Sequence, residues 1–433
     1  SRVDKQAMFG NVVIGYKDAM FLDFSGRNDY ASTLAGTGNE SYFYPSVGAS
    51  FVISQMMELP SQISFLKLRA SSASVGNEVP YNRISPTNTI NASGGVQRNT
   101  QTPFTTLKPE MIETFEIGVD LRLFNNKLGL DVAYYDIKST DQFLSLAAPS
   151  GSGYTSYFVN AGKIVNNGIE VTITNSIIDN ANFKWNSILN ITQNTNEIVE
   201  IHPDISALNT GASEGFQSQM RKGGSVGDFY TFMHKRDAQG RIEMAAGVPL
   251  RGAERVFAGN AEPDVSLGWS NNFNIGESLS VGFIINAKFG GEVFSQTESM
   301  LDGNGVSLRS GQARDAGFVA VNGVEGGVAV SQADPKTWYQ AIGDRNGTGE
   351  DYVYDRTNIR LSQMSIAYKL DPIKLGLPVD NATISVIGNN LFYSAVAPFD
   401  PELAMSTNRN AQGLDNFNLP STRTIGMNLR LTF

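Results

Sequence analysis

The stretch Thr422-Arg423-Thr424-Ile425-Gly426-Met427-Asn428-Leu429-Arg430-Leu431-Thr432-Phe433 ends the sequence. Ile425, Met427, Leu429, Leu431 and Phe433 are apolar, and Thr424, Gly426, Asn428, Arg430 and Thr432 between them are polar or small. A period of two is that of a β-strand with one face toward an apolar surrounding and the other toward water. A half-buried strand in a soluble sandwich has the same pattern, so the decision rests on whether the rest of the chain repeats it.

It does. Residues 7–16 and 19–25 read as a first strand pair across Tyr16-Lys17-Asp18, with Met20, Leu22 and Phe24 on one face. Val47, Ala49, Phe51 and Ile53 alternate next, then Leu66, Leu68 and Ala70 against Lys67, Arg69 and Ser71. The clearest hairpin sets Phe115, Ile117, Val119, Leu121 and Leu123 against Leu128, Leu130, Val132 and Tyr134, with Asn125-Asn126 at the turn. Its other face carries Glu116, Asp120, Arg122 and Asp131, charges that no dry core accepts without partners. The pattern returns at Ile169–Ile173, Phe183–Ile191, Val265–Trp269, Leu279–Phe289, Ile359–Tyr368 and Ala382–Val386. A phase shift at Ser362-Gln363 predicts a β-bulge.

Composition narrows the class. Charged residues make up 17% of the 433-residue chain, below the roughly 25% of soluble domains. The net charge of −9 argues against a nucleic-acid partner, which needs a basic face. Without cysteine there are no disulfides or thiolate metal sites. No apolar run reaches the roughly 18 residues of a membrane-spanning helix, whereas a membrane barrel needs only alternating strands. No signal peptide precedes the first strand, so the expectation is that a leader was removed or that the sequence is part of something larger.

Connections alternate in length. They are short at 17–18, 55–62, 125–127, 178–182, 274–278 and 372–380, and long at 26–42, 75–110, 140–165, 195–263, 291–356 and 392–421. Short turns on one side and long loops on the other mark a transmembrane antiparallel β-barrel; a large soluble β protein has no reason to sort its loops so. About thirteen strands are legible, whereas single-chain bacterial barrels have an even number with both ends in the periplasm. With Phe433 on the short-turn side, Ser1 falls on the long-loop side, and residues 1–433 are expected to be the C-terminal part of a barrel. The last strand should then pair with residues 381–391.

Several stretches resemble the SusC/RagA-like TonB-dependent transporters of Bacteroidetes outer membranes. They are Tyr44-Pro45-Ser46-Val47-Gly48-Ala49-Ser50-Phe51, Leu66-Lys67-Leu68-Arg69-Ala70-Ser71 through Gly76-Asn77, and Leu107-Lys108-Pro109-Glu110 through Phe115-Glu116-Ile117-Gly118-Val119-Asp120-Leu121. Asn167-Gly168-Ile169-Glu170, Gly259-Asn260-Ala261-Glu262-Pro263-Asp264, the strand Ile359–Tyr368, Gly388-Asn389-Asn390-Leu391-Phe392 and Asp400-Pro401-Glu402 follow in the family's order. The resemblance implies a 22-stranded barrel with an N-terminal plug, a segment that contacts TonB, and a SusD-like surface lipoprotein as lid. It also makes the terminal Phe433 strand look like an outer-membrane assembly signal. No plug, TonB box or full set of strands is legible here, so the N-terminal half is expected to come from elsewhere, as part of the same protein or as a separate chain.

Candidate sites follow. Lys67, Arg69, Glu116, Asp120, Arg122, Asp131 and Arg360 fall on polar faces and read as a lumen-lining ladder of opposite charges that grips the plug, with a solute path as the alternative. Tyr154, Tyr157, Phe229, Tyr230, Trp338, Tyr339 and Phe399 lie in loops, where they would meet solute, face the lid or pack the loops together. His202 and His234 lack convergent ligands and read as solvated loop histidines, so no catalytic residue is assigned. Lys222-Gly223-Gly224-Ser225-Val226-Gly227 lacks the ending of a phosphate loop and reads as a turn. Asp344, Asn346, Thr348, Gly349 and Asp355 occupy places 1, 3, 5, 6 and 12 of a calcium-loop pattern. Arg345, a short final Asp and the lack of flanking helices count against it, and calcium is the one cofactor considered.

The expectation is therefore a non-enzymatic outer-membrane importer of oligosaccharides or oligopeptides, working with a SusD-like lipoprotein and TonB in outer-membrane lipid. A scaffold barrel without a transport role is the alternative reading, and a barrel lipase a third, disfavoured because the strands carry no histidine.

Overall fold

The computed structural model describes residues 3–433 apart from 78, 214, 344–346, 377 and 403–411. The fold is all-β, carried by thirteen long antiparallel strands, the number read from the alternation. They are β1 (Lys5–Tyr16), β2 (Met20–Ala31), β3 (Ser41–Val52), β4 (Ile63–Asn77), β5 (Glu110–Leu123), β6 (Leu128–Thr140), β7 (Lys163–Asp179), β8 (Phe183–Glu200), β9 (Val265–Ile275), β10 (Leu279–Phe289), β11 (Asn358–Leu370), β12 (Asn381–Ala395) and β13 (Thr424–Thr432). The chain folds as two compact units, one of Ser1–Leu208 with Arg221–Gly224 and one of Asn209–Met220 with Ser225–Phe433.

In the first unit β1 to β8 pair in sequence order. Register lines up apolar residues across the strands: Phe51 opposes Met20 and Leu68, Leu68 opposes Val119, Val119 opposes Val132, and Val132 opposes Val171. Leu22, Phe24, Val47, Phe115, Ile117, Tyr134 and Ile169 share that face and are exposed. A continuous exposed apolar band of this kind calls for an apolar surrounding rather than water. Tight turns join the strands on one side. Lys17 and Asp18 have φ of 51° and 52°, the mirror-image turn that matches strand twist. Asn125 and Asn126 take the same region, and the Asn180 side chain accepts from the backbone N–H of Asn182 and Phe183.

The strands run farther than the apolar alternation. β7 and β8 are 17 and 18 residues long, against about 9–11 for a tilted membrane crossing. Beyond the apolar band Lys163 still opposes Glu200, because backbone pairing continues where side chains no longer need to be apolar. For the same reason the first long loop is only 32–40 rather than 26–42: β2 and β3 stay paired from Met20↔Phe51 to Tyr30↔Ser41.

In the second unit β9 and β10 pair, and β10 continues through β11 and β12 to β13. Val281 opposes Ile366, Ile366 opposes Val386, and Val386 opposes Met427, so this unit builds its own apolar face. The bulge lies where expected, between Leu361 and Gln363. Asn381↔Thr432 through Asn389↔Thr424 gives the terminal strand its expected partner, and all nine residues of β13 are exposed.

The long connections of this unit are not plain loops. They carry short strands and the helices α2 (Gln296–Gly303), α3 (Leu308–Ala316) and α4 (Pro335–Ile342), after the single turn α1 (Ile53–Met56) of the first unit. Ser295, Ser307 and Asp334 cap α2, α3 and α4 through their side-chain oxygens, each satisfying an otherwise orphaned N–H. Phe216, Phe229, Ile242, Met244, Phe294, Trp338, Ile342, Tyr352 and Leu414 form their buried core.

If the apolar band of β5 meets hydrocarbon, Val119→Arg in the full-length protein should lower unfolding free energy in lipid vesicles by about 2–4 kcal/mol. The measurement is urea-induced unfolding. A cost under about 1 kcal/mol would place Val119 outside the hydrocarbon midplane.

Candidate functional site

The polar face of the first unit is knit around Arg69 on β4. Its Nη1 and Nη2 donate to the two oxygens of Asp131 at 2.8 and 2.9 Å, and its Nε donates to Glu116 at 3.3 Å. This fork-on-carboxylate geometry fixes orientation as well as charge. Gly118, directly opposite, makes it possible: a Cβ there would lie 2.5 Å from the guanidinium carbon. Lys67 opposes Asp120 in register. Arg122 holds Asp120 at 3.1 Å and lies 4.8 Å from the Phe65 ring centre. Six of the seven charges singled out in the sequence thus share one face, with Arg69, Glu116 and Asp131 in one cluster, Arg122 paired to Asp120, and Lys67 across from Asp120.

Arg360 does something else. It pairs with the buried Asp400, and Asp400 sits in the connection that Glu402 also ties down. Glu402 accepts from Lys288 Nζ at 2.5 Å and Asn358 Nδ2 at 3.2 Å, with Arg356 at 3.8 Å. Burial raises the Glu402 carboxyl, but the bond and charge of Lys288, with the charge of Arg356, outweigh it and hold the pKa below the ordinary value. The Asp400-Pro401-Glu402 motif is therefore a clamp that fastens a long connection to β10 and β11.

The loop aromatics divide. Phe229, Tyr230 and Trp338 are buried and pack the connections together; Phe216 stacks 5.3 Å from Phe229 and 5.9 Å from Phe294. They are not surfaces for solute in this conformation, because the connections are long enough to need a hydrophobic core of their own. Tyr154, Tyr157, Tyr339 and Phe399 stay partly exposed, with Phe399 edge-on to Tyr354.

His234 corrects the expectation of a solvated histidine. It is 6% exposed, its Nε2 lies 2.8 Å from Asp351, and its ring stacks 5.6 Å from Trp338. Burial leaves the imidazole no water, so a carboxylate and an aromatic face take water's place. His202 is partly buried, with Nδ1 accepting from the Asp204 backbone at 3.3 Å.

Sequence reasoning missed the centre of the helical insertion. The fully buried Asp302 accepts from Ser307 Oγ at 2.5 Å, Arg309 Nε at 2.7 Å and Tyr352 Oη at 3.0 Å. Burial, then the Asp302 charge, pushes the Tyr352 phenol far above its ordinary range, so it remains a donor. Nothing local in the sequence flags this node, since its members converge from α2, α3 and residue 352.

Of the calcium pattern, Asp344 and Asn346 lie outside the described residues. Thr348 and Gly349 are buried, and a Cβ on Gly349 would fall within 2.8 Å of Phe294. The expected lack of a nearby helix does not hold, since α4 precedes the loop and the 3-10 turn Gly349–Tyr352 follows it. Asp355 accepts from the Thr357 N–H at 2.7 Å. Among the described residues no three acidic or histidine side chains converge as a metal site.

Residues 1–205 match the family model described as TonB dependent receptor-like, beta-barrel. The match covers the first 205 of the chain's 433 residues. TonB-dependent receptors P3 and P26 of Formosa agariphila are 27% and 26% identical to the chain, the matches covering 99% of this chain and 45% and 46% of theirs. The chain thus spans about half the length of the curated relatives it matches. Its fold is similar to the RagAB peptide importer in the closed-closed and open-open states, with TM-scores of 0.74 and 0.76 at 17% and 18% identity. Those likenesses cover 99% and 100% of this chain and 48% and 47% of the other. TonB-dependent receptors are outer-membrane proteins and not enzymes. No helix among the described residues is long and apolar enough to cross a membrane, which leaves crossing by strands open.

Phe229→Ala in the full-length receptor should destabilise the helical insertion by about 3–5 kcal/mol through the cavity it opens, read as faster hydrogen exchange in residues 290–357. A solute-facing role would instead leave exchange unchanged. The Glu402 clamp is present above pH 4.5, the ordinary value, and is lost as pH falls through the lower folded value. Protease protection of residues 396–402 should therefore drop in acid, and Glu402→Gln should remove that pH step.

Proposed function

We propose that this chain supplies wall, lumen charges and extracellular loops to a TonB-dependent outer-membrane importer that takes up oligosaccharides or oligopeptides beneath a SusD-like surface lipoprotein. The observation that carries the reading is the division of the strands into an exposed apolar band on one face and the interlocked Arg69–Asp131–Glu116 network on the other. In a barrel the first meets lipid and the second the lumen. Charges already paired among themselves suit a wall that a plug packs against, since an unpaired lumen charge would have to find a partner each time the plug moved.

Further strands would pair on the open edges of β1 and β13, whose residues are exposed throughout. The plug, the segment that contacts TonB and the remaining wall belong to that part of the protein. The solute would bind among the long connections under the lid and enter when energy delivered through TonB displaces the plug. No covalent chemistry is required of this chain.

The test is uptake of labelled oligosaccharides and oligopeptides by cells carrying the full-length receptor, with and without TonB. Loss of uptake of one solute class without TonB, together with co-purification of a surface lipoprotein, is the expected result. Uptake indifferent to both receptor and TonB would favour a scaffold role.

A further inference from the structure

The exposed apolar face of the first unit carries a cleft of about 570 Å³, within the roughly 300–1,000 Å³ of small-ligand pockets. Register gives the cleft its shape. Val47, Ser72, Phe115 and Asp136 form one row across β3 to β6, and Ser74, Glu113 and Lys138 form the next; all of them line it. Two serines between larger neighbours leave a trough along β4. Toward the tight-turn end Ala70 opposes Ala49 and Ile117, so the trough runs on into the apolar band. Its other end is charged. Glu113 opposes Lys138, and Lys138 Nζ lies 2.9 Å from Asp136, so two carboxylates face one ammonium where the apolar band stops. The next charges along this face do not cancel the excess: Lys163 opposes Glu200, and Glu197, across Val165, adds a further carboxylate.

We infer that this cleft seats one bilayer lipid that carries an amine in its head group. An acyl chain lies along Ser74, Ser72 and Ala70 between the side chains of β3 and β5, and the ammonium meets Glu113 and Asp136. Place selects a lipid: the trough is continuous with the apolar band, and its charged end lies just past Phe115, where head groups sit once that band is in hydrocarbon. Charge selects the amine. A head group with only a phosphate would bring a further negative charge to a site whose one ammonium is already held by Asp136, whereas an ammonium relieves the repulsion between the carboxylates. The inference rests on the outer-membrane reading proposed above, because this face meets lipid only if the strands cross the membrane.

The experiment is native mass spectrometry of the full-length receptor in detergent, titrated with phosphatidylethanolamine or phosphatidylglycerol, with and without magnesium. The amine-bearing lipid should be held about tenfold or more tightly than the anionic one, with no need of magnesium. Glu113→Gln combined with Asp136→Asn should erase that preference and leave thermal unfolding nearly unchanged, since exposed ion pairs contribute little to stability. Ser72→Phe, at an exposed position, fills the trough and should lower the number of tightly held lipids by one. Equal retention of the two lipids, a preference that survives the double carboxylate variant, or a lipid count unchanged by Ser72→Phe would overturn the inference. Retention of phosphatidylglycerol only with magnesium would show a phosphate bridged by the metal and overturn the amine. A receptor that does not insert into lipid vesicles would overturn the membrane reading itself; insertion with no lipid retained would overturn the seat alone.

Discussion

A backbone surrounded by hydrocarbon has no water to bond with, so every N–H and C=O in such a surrounding must be satisfied by a neighbouring strand. On the outer-membrane reading proposed above, the rest of this structure depends on that requirement. It explains why β1 to β8 pair in sequence order in one unit and β9 to β13 in the other, why their connections are tight on one side, and why apolar residues align across Phe51, Leu68, Val119, Val132 and Val171 rather than gathering into a core. With the apolar surface turned outward, the other face is free to carry charge. Arg69, Asp131 and Glu116 use it for a braced ion cluster that a conventional half-buried sheet would have to desolvate.

The connections obey different physics. In water, ordered segments of such length must bury their own apolar surface to offset the entropy of being held in place. The second unit does so with Phe216, Phe229, Phe294 and Trp338, and it orders three helices around the fully buried Asp302. A carboxylate accepting from a serine, an arginine and a tyrosine is satisfied in place, and removing any one donor would leave a buried charge short of partners. The Asp400-Glu402 clamp then ties a connection to the strands through Arg360 and Lys288.

Much of the strand framework was legible beforehand, and for a physical reason. A strand's faces alternate with period two, so Leu121 and Asp120 announce their sides without knowledge of any partner. The bulge at Ser362-Gln363 was legible because an inserted residue flips that alternation. Strand ends were not, because pairing past Gly168 and Gly26 needs no apolar side chain. The charged face could be picked out residue by residue, whereas Arg360 could not be told from Arg69, since its partner lies 40 positions away at Asp400.

The sequence by itself determined the all-β class, the number of strands, the sorting of short turns from long connections, and which side chains are apolar-facing or polar-facing. All of these are properties of neighbouring residues. Only the tertiary structure decided what the connections do: that Phe229 and Trp338 are core rather than contact surface, that His234 is buried against Asp351, and that α2, α3 and Tyr352 meet around the buried Asp302. Those outcomes depend on segments brought together across tens to more than a hundred residues, and no local pattern records which segments will meet.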